Sequence, residues 1–164
     1  MPASVEIFKK YLNPIFIETG SYDGSGIWQA LGAGFKEIYS IEIMQEYFNM
    51  CSSAFASYNN VHLIFGDSSI VLWDLLKNIN DRITFWLDAH IGAAISPLLK
   101  EIEAIQEHPI KTHTILIDDL RDWHVWQNGF DTDVLREKIL LINENYKFSF
   151  EDGRVPNDIL VAQI

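Results

Sequence analysis

Short apolar runs alternate with longer stretches whose apolar residues recur every three or four positions. Val5, Phe8 and Leu12 have that spacing ahead of Asn13-Pro14, which predicts a short helix closed by the proline. Residues 15–17 read as a buried strand, residues 20–26 as a turn-rich loop, and residues 27–31 as a helix stopped by Gly32-Ala33-Gly34. The unit then repeats. A strand at 38–41 precedes a helix presenting Tyr47, Met50, Cys51, Ala54, Phe55 and Tyr58 on one face. Further strands are predicted at 61–65, 83–87 and 114–117, with helices at 70–76 and 134–142. Ser96-Pro97 is a start signal for a helix whose buried stripe is Leu98, Ile102 and Ile105. Two last runs, 146–150 and 159–164, are expected to pair as a hairpin across Asp152-Gly153. Trp28 and Trp73 fall in helical patterns and are expected in the core.

Strictly alternating βα units with near-continuously apolar strands predict an α/β fold: a parallel sheet covered on both faces, with an antiparallel addition from the terminal hairpin. In such sheets a ligand lies outside the carboxyl ends of the strands. The positions just past the predicted strands are Glu18-Thr19-Gly20, Glu42, Gly66-Asp67-Ser68, Asp88-Ala89-His90 and Asp118-Asp119. Each contains a carboxylate. Carboxylates gathered at one edge repel one another unless a ligand or cation lies between them, so the pattern points to a site.

Composition narrows the classes. The 164 residues are 48% hydrophobic and 21% charged, which is globular rather than disordered, and the length suits one domain spanning 1–164. The formal net charge of −11 opposes a phosphate backbone and predicts no nucleic-acid partner. One cysteine, Cys51, rules out a disulfide within the chain. No apolar run of membrane-spanning length and no signal-peptide pattern is present, so no membrane partner and a cytoplasmic location are expected.

The first loop reads Glu18-Thr19-Gly20-Ser21-Tyr22-Asp23-Gly24-Ser25-Gly26, a G-x-x-x-G-x-G spacing that differs from the G-x-G-x-x-G of dinucleotide cradles. Glu42 lies about 20 residues past the loop, where an acidic side chain accepts hydrogen bonds from a ribose diol. After the third strand, one of Asp67 and Ser68 caps the next helix, leaving the other to reach an adenine amino group.

These stretches, with Phe85-Trp86-Leu87-Asp88-Ala89-His90 and Ile115-Leu116-Ile117-Asp118-Asp119, occur in order and at about the spacing of a known family. The chain resembles the class I S-adenosylmethionine-dependent methyltransferases, and within them the catechol-type and macrolide- and aminocoumarin-type O-methyltransferases. The resemblance implies a Rossmann-like doubly wound sheet of seven strands, order 3-2-1-4-5-7-6, mostly parallel with an antiparallel C-terminal strand. It implies that Gly20, Tyr22 and Gly24 flank the cofactor's methionyl part, with Glu18 also among the cofactor-binding residues. Glu42 would hold its ribose, Asp67 and Ser68 would lie by its adenine, and Asp88 would lie beside it. It also implies that Asp88, Asp118 and Asp119 share a divalent cation such as Mg²⁺, which suits three hard oxygen ligands. The reaction implied is methyl transfer to oxygen of a small-molecule acceptor.

Asp88 and His90 are the candidates for catalysis. His90 reads equally as a cofactor contact, a metal ligand, a general base or a loop histidine, because Ala89 separates it from Asp88 where the catechol branch has the histidine adjacent. His62, His108 and His113 read as ordinary. Trp123, His124 and Trp126 would wall an acceptor pocket or a dimer contact. Only one short helix precedes the glycine loop, and no acceptor lid is evident. A large acceptor, a homodimer completing the site, or a non-catalytic cofactor-binding or scaffold module would each account for that. An NAD(P)-dependent oxidoreductase is disfavoured by the glycine spacing and the lack of a Tyr-x-x-x-Lys arrangement.

Overall fold

The computed structural model describes residues 3–90, 96–122 and 132–164. The chain runs α1 (Val5–Lys10), β1 (Ile15–Thr19), α2 (Ser25–Ala33), β2 (Glu37–Glu42), α3 (Gln45–Ala54), β3 (Val61–Phe65), α4 (Ser68–Leu76) and β4 (Ile83–Leu87). It continues through α5 (Leu98–Glu107), β5 (Thr114–Ile117), a 3-10 turn (Leu120–Asp122), α6 (Thr132–Leu140), β6 (Lys147–Glu151) and β7 (Ile159–Gln163). The seven strands form one sheet in the order β3-β2-β1-β4-β5-β7-β6. β1 to β5 are parallel, while β7 pairs antiparallel with both β5 and β6. Order and direction are those expected.

Side-chain alternation divides the interior into two layers, because successive strand residues point to opposite faces. Phe16, Ile38, Trp86, Leu116 and Val161 face one core with Phe8, Ile27 and Phe35. Ile17, Ile41, Phe85, Ile115 and Leu160 face the other, with Leu72, Ile102, Ile105, Leu135 and Ile139. The central strand β4 is buried at all five positions, since helices cover both its faces. Among the described residues no helix is long and apolar enough to cross a membrane.

Four local expectations are corrected. The second helix runs through Gly32 and Ala33 and stops at Gly34, whose φ of 95° and N–H bonds to the Ala30 and Leu31 carbonyls end it. Of the six residues expected on the inner face of α3, only Cys51 and Phe55 are buried, while Met50 and Tyr58 are exposed. β3 is an edge strand, so α3 overhangs the sheet and needs only a narrow stripe. Trp28 lies on the surface, its ring 4.7 Å from Phe55, rather than in the core. The terminal hairpin turns over residues 152–158, not a two-residue turn. Trp123, His124 and Trp126 lie outside the described residues.

Candidate functional site

A cavity of about 950 Å³ opens at the carboxyl ends of the strands. β1 sits at the point where the strand order reverses, with β2 and β3 on one side and β4 and β5 on the other. Gly20, Tyr22, Glu42, Asp67, Ser68 and Asp88 all line the cavity, as do His90, Asp118 and Asp119. Glu18 and Gly24, also expected at the cofactor, do not line it. Gly24 faces α3, where a Cβ would stand 2.8 Å from the Phe55 ring.

Glu18 lies beneath the loop and is 1% exposed. Its Oε2 accepts from the Ser40 hydroxyl at 2.5 Å, and Ser40 lies 2.6 Å from the Ser21 hydroxyl. Burial pushes the Glu18 carboxyl up to about 8, against the Ser40 hydrogen bond. A Cβ on Gly26 would fall 1.7 Å from Glu18 Oε1. At Gly20 the φ of 86° and the Asp88 carbonyl oxygen, 3.0 Å from a notional Cβ, exclude a side chain. The glycine spacing is therefore set by contacts of the loop with Glu18, α3 and the end of β4.

Glu42 is 5% exposed at the end of β2. Its Oε2 accepts from Tyr22 N–H at 2.9 Å and its Oε1 from Met44 N–H at 2.7 Å. The carboxylate thus ties the glycine loop, where Tyr22 holds a φ of 44°, to the start of α3. Each carboxylate oxygen keeps lone-pair capacity for one further donor. The rings of Tyr22 and Tyr47 meet edge-on at 4.7 Å along the cavity wall. Asp67 is the helix cap, its Oδ1 accepting from Ser69 N–H at 2.9 Å, which resolves the choice between Asp67 and Ser68.

At the other half of the cavity, burial and the carboxylates of Asp118 and Asp119 push Asp88 well above the ordinary carboxylate range. Burial raises Asp118 to about 7, and its Oδ1 is buried without a hydrogen-bond partner among the described residues. Asp119, at a φ of 59°, differs: although burial opposes it, His90 and Arg121 hold it below its ordinary value. His90 Nε2 lies 3.3 Å from Asp119 Oδ2, and Arg121 Nη2 lies 2.5 Å from Asp119 Oδ1. Arg121 Nη1 pairs with Asp158, whose side chain is fully buried.

The expected metal set does not assemble as expected. Among the described residues, the groups whose ligand atoms lie within 4.8 Å of one another are Asp88, His90 and Asp119, and Asp118, Asp119 and Asp158. Asp88, Asp118 and Asp119 do not form such a set. Both groups share Asp119, whose two oxygens already face Arg121 and His90. Asp119 Oδ1 is held by Arg121, so a cation shared by the expected set, which needs its oxygens at about 2.0–2.6 Å, would have to displace the guanidinium from it.

Sequence reasoning missed Glu101, Arg121 and Asp158. Glu101 is fully buried on α5, raised to about 7 by burial against the nearby hydroxyls of Ser68 and Thr19. A water-sized space of about 10 Å³ separates it from Asp88, His90 and Asp118. The available signal was its position: residue 101 interrupts the Leu98, Ile102, Ile105 stripe with an acid.

Solved structures share this architecture. An O-methyltransferase from Bacillus cereus in complex with SAH superposes with a TM-score of 0.69 at 13% identity, over 98% of this chain and 78% of its own. The chain has the class I methyltransferase fold. The O-methyltransferase TomG from Streptomyces achromogenes, in complex with SAM, gives 0.67 at 10% identity over 98% and 77%. An rRNA methylase from Streptococcus thermophilus gives 0.62 at 13% identity over 97% and 92%. No family model matches the chain, and no curated protein matches it.

Proposed function

We propose that this chain binds S-adenosylmethionine and transfers its methyl group to an oxygen of a small-molecule acceptor. The observation that carries the reading is Glu42, a nearly buried carboxylate at the end of β2 that faces the cavity beside the glycine loop. In this reading Glu42 accepts the ribose hydroxyls, Ser68 and Asp67 stand by the adenine, and Gly20 and Tyr22 flank the methionyl chain. Glu18 acts from below, by shaping the loop. The cavity is near the upper end of the usual 300–1,000 Å³ range for ligand sites, which leaves acceptor space beside the cofactor.

The acceptor end is the half bordered by Asp88, His90 and Asp119. The acceptor oxygen attacks the methyl carbon in line with the carbon–sulfur bond. The new C–O bond forms as the C–S pair returns to sulfur, and the hydroxyl proton passes to the His90 imidazole. Asp119 orients that ring through Nε2. A small molecule is favoured over nucleic acid because the net charge is −11 and six carboxylate residues line the cavity against Lys100 and Arg154. The single cysteine, Cys51, suits a reducing compartment such as the cytoplasm.

Calorimetric titration with S-adenosylmethionine, S-adenosylhomocysteine and NAD tests the cofactor. The first two should bind and NAD should not; binding of NAD alone would overturn the reading. A methyl-transfer screen over hydroxylated small molecules tests the reaction. Cofactor binding with no turnover on any acceptor would favour the non-catalytic module.

A further inference from the structure

Four carboxylates converge at the ends of β4, β5 and β7: Asp88, Asp118, Asp119 and Asp158. Their repulsion demands a positive charge or bound protons. The chain provides its own cation. Arg121 spans two of the four, with Nη2 at 2.5 Å from Asp119 Oδ1 and Nη1 on Asp158. A planar guanidinium carries several donors in a fixed fork, so each of its two arms can serve one carboxylate.

The fork is held at its base as well as its tip. Arg121 N–H donates to Asp158 Oδ1 at 3.3 Å, and Leu120 N–H donates to the Asp158 carbonyl at 3.0 Å. Asp158 also accepts from Arg154 N–H at 3.1 Å, which ties in the β6–β7 connection. The side chains of Arg121, Asp119 and Asp158 are 23%, 15% and 0% exposed, so the pairs are weakly screened. With Oδ1 fixed by Arg121, Asp119 presents Oδ2 to His90 at 3.3 Å.

We infer that Arg121 fills the role of a divalent cation at the acceptor end, neutralising Asp119 and Asp158 and, through Asp119, positioning His90. The site therefore works without a metal ion. Arg121 is a positioning residue. Its effect on His90 rests on the methyl-transfer reading above, whereas the charge replacement stands on the ion pairs alone.

The test needs no acceptor. Thermal melting and calorimetric Mn²⁺ titration are run on the wild type, Arg121→Met and Arg121→Lys at matched ionic strength, with S-adenosylhomocysteine binding measured in the same preparations. The wild type should show no saturable Mg²⁺ or Mn²⁺ stabilisation and no change with chelator. Arg121→Met should melt lower and should acquire saturable Mn²⁺ binding, about tenfold tighter than the wild type's, because Asp119 and Asp158 have lost the cation they share. Arg121→Lys, which restores the charge, should abolish that gain. An arginine of purely structural value would lower the melting temperature without creating a metal site. Saturable Mn²⁺ binding by the wild type that Asp119→Asn removes would overturn the inference, and that measurement stands even where Arg121→Met does not fold. Failure to bind S-adenosylhomocysteine would instead sink the methyltransferase reading and leave the charge replacement to the Mn²⁺ result.

Discussion

His113 Nε2 lies 2.9 Å from His108 Nδ1, and both side chains are buried at the amino-terminal end of the sheet, opposite the cavity. The neighbours fix the tautomers. Ile83 N–H donates to His113 Nδ1 at 3.1 Å, so His113 carries its proton on Nε2 and donates to His108. His108 Nδ1 also accepts from Ile110 N–H, so its own proton is on Nε2, 2.9 Å from the Ile79 carbonyl. A proton added to His113 Nδ1 would break the Ile83 bond. Burial, followed by the neighbouring His108, Arg82 and Lys111, lowers His113 to about 3.

Acid should therefore weaken this end of the fold. The folded value lies below the ordinary 6.5, so the contribution is fully present above pH 6.5 and is lost as pH falls toward 3. The rate of loss is about 1.4 kcal/mol per pH unit. His113→Gln can accept from Ile83 and donate to His108 without titrating. Urea melts of both proteins at pH 5, 6 and 7 should show the wild type's advantage over the variant shrinking by roughly 2 kcal/mol between pH 6.5 and 5. A difference independent of pH would refute the neutral relay.

Glu101 works in the opposite direction. Its folded value of about 7 lies above the ordinary 4.5, so the folded state holds a proton that the unfolded chain releases. Burying it costs nothing extra below pH 4.5, and the penalty grows to its full size above pH 7. Glu101→Gln should stabilise the protein by about 2–3 kcal/mol at pH 8 and by nearly nothing at pH 4.5. Equal effects at the two pH values in thermal melts would show that the fold does not shift the titration of Glu101.

Local alternation carried most of the fold. The apolar run 83–87 predicted a strand covered on both faces, and β4 is that strand. The position of Glu42 at the end of β2 was legible for the same reason, since strand ends are where such sheets bind ligands. What the sequence hid depends on distant partners. Arg121 reads as a solvated charge beside Asp119 until the β6–β7 connection brings Asp158, 37 positions away, onto its guanidinium. Likewise, the outer face of α3 is apolar enough to look like core, and only the edge position of β3 leaves Met50 exposed. His108 and His113 looked ordinary because only the folded chain puts the two rings against each other and Ile83 against them.

The glycine loop gives a third prediction. If Gly26 is glycine because Glu18 occupies its side-chain space, Gly26→Ala should destabilise the fold by about 1–3 kcal/mol, as overpacking does. Glu18→Ala should cost stability by leaving Ser40 without its acceptor, yet the double variant should recover much of the Gly26→Ala loss. Additive losses in a denaturant-melt cycle would mean that the two positions do not share space.

Glu42 carries two functions, and they can be separated. Removing the carboxylate deletes the acceptor proposed for the ribose and also the acceptor of Tyr22 N–H and Met44 N–H. Glu42→Ala should weaken S-adenosylhomocysteine binding by at least about 1.5–3 kcal/mol, the range for hydrogen bonds to a charged group. It should also loosen residues 20–24, visible as faster amide exchange at Tyr22. Glu42→Gln keeps one oxygen and replaces the other with an amide donor. It should hold Tyr22 or Met44 but not both, and its binding loss should fall below that of Glu42→Ala. Amide exchange then decides between the roles. If Glu42→Ala frees Tyr22 but leaves calorimetric affinity unchanged, Glu42 serves the loop alone and the ribose assignment is wrong. If affinity falls in both variants while Tyr22 in Glu42→Gln stays as protected as in the wild type, the carboxylate touches the cofactor directly.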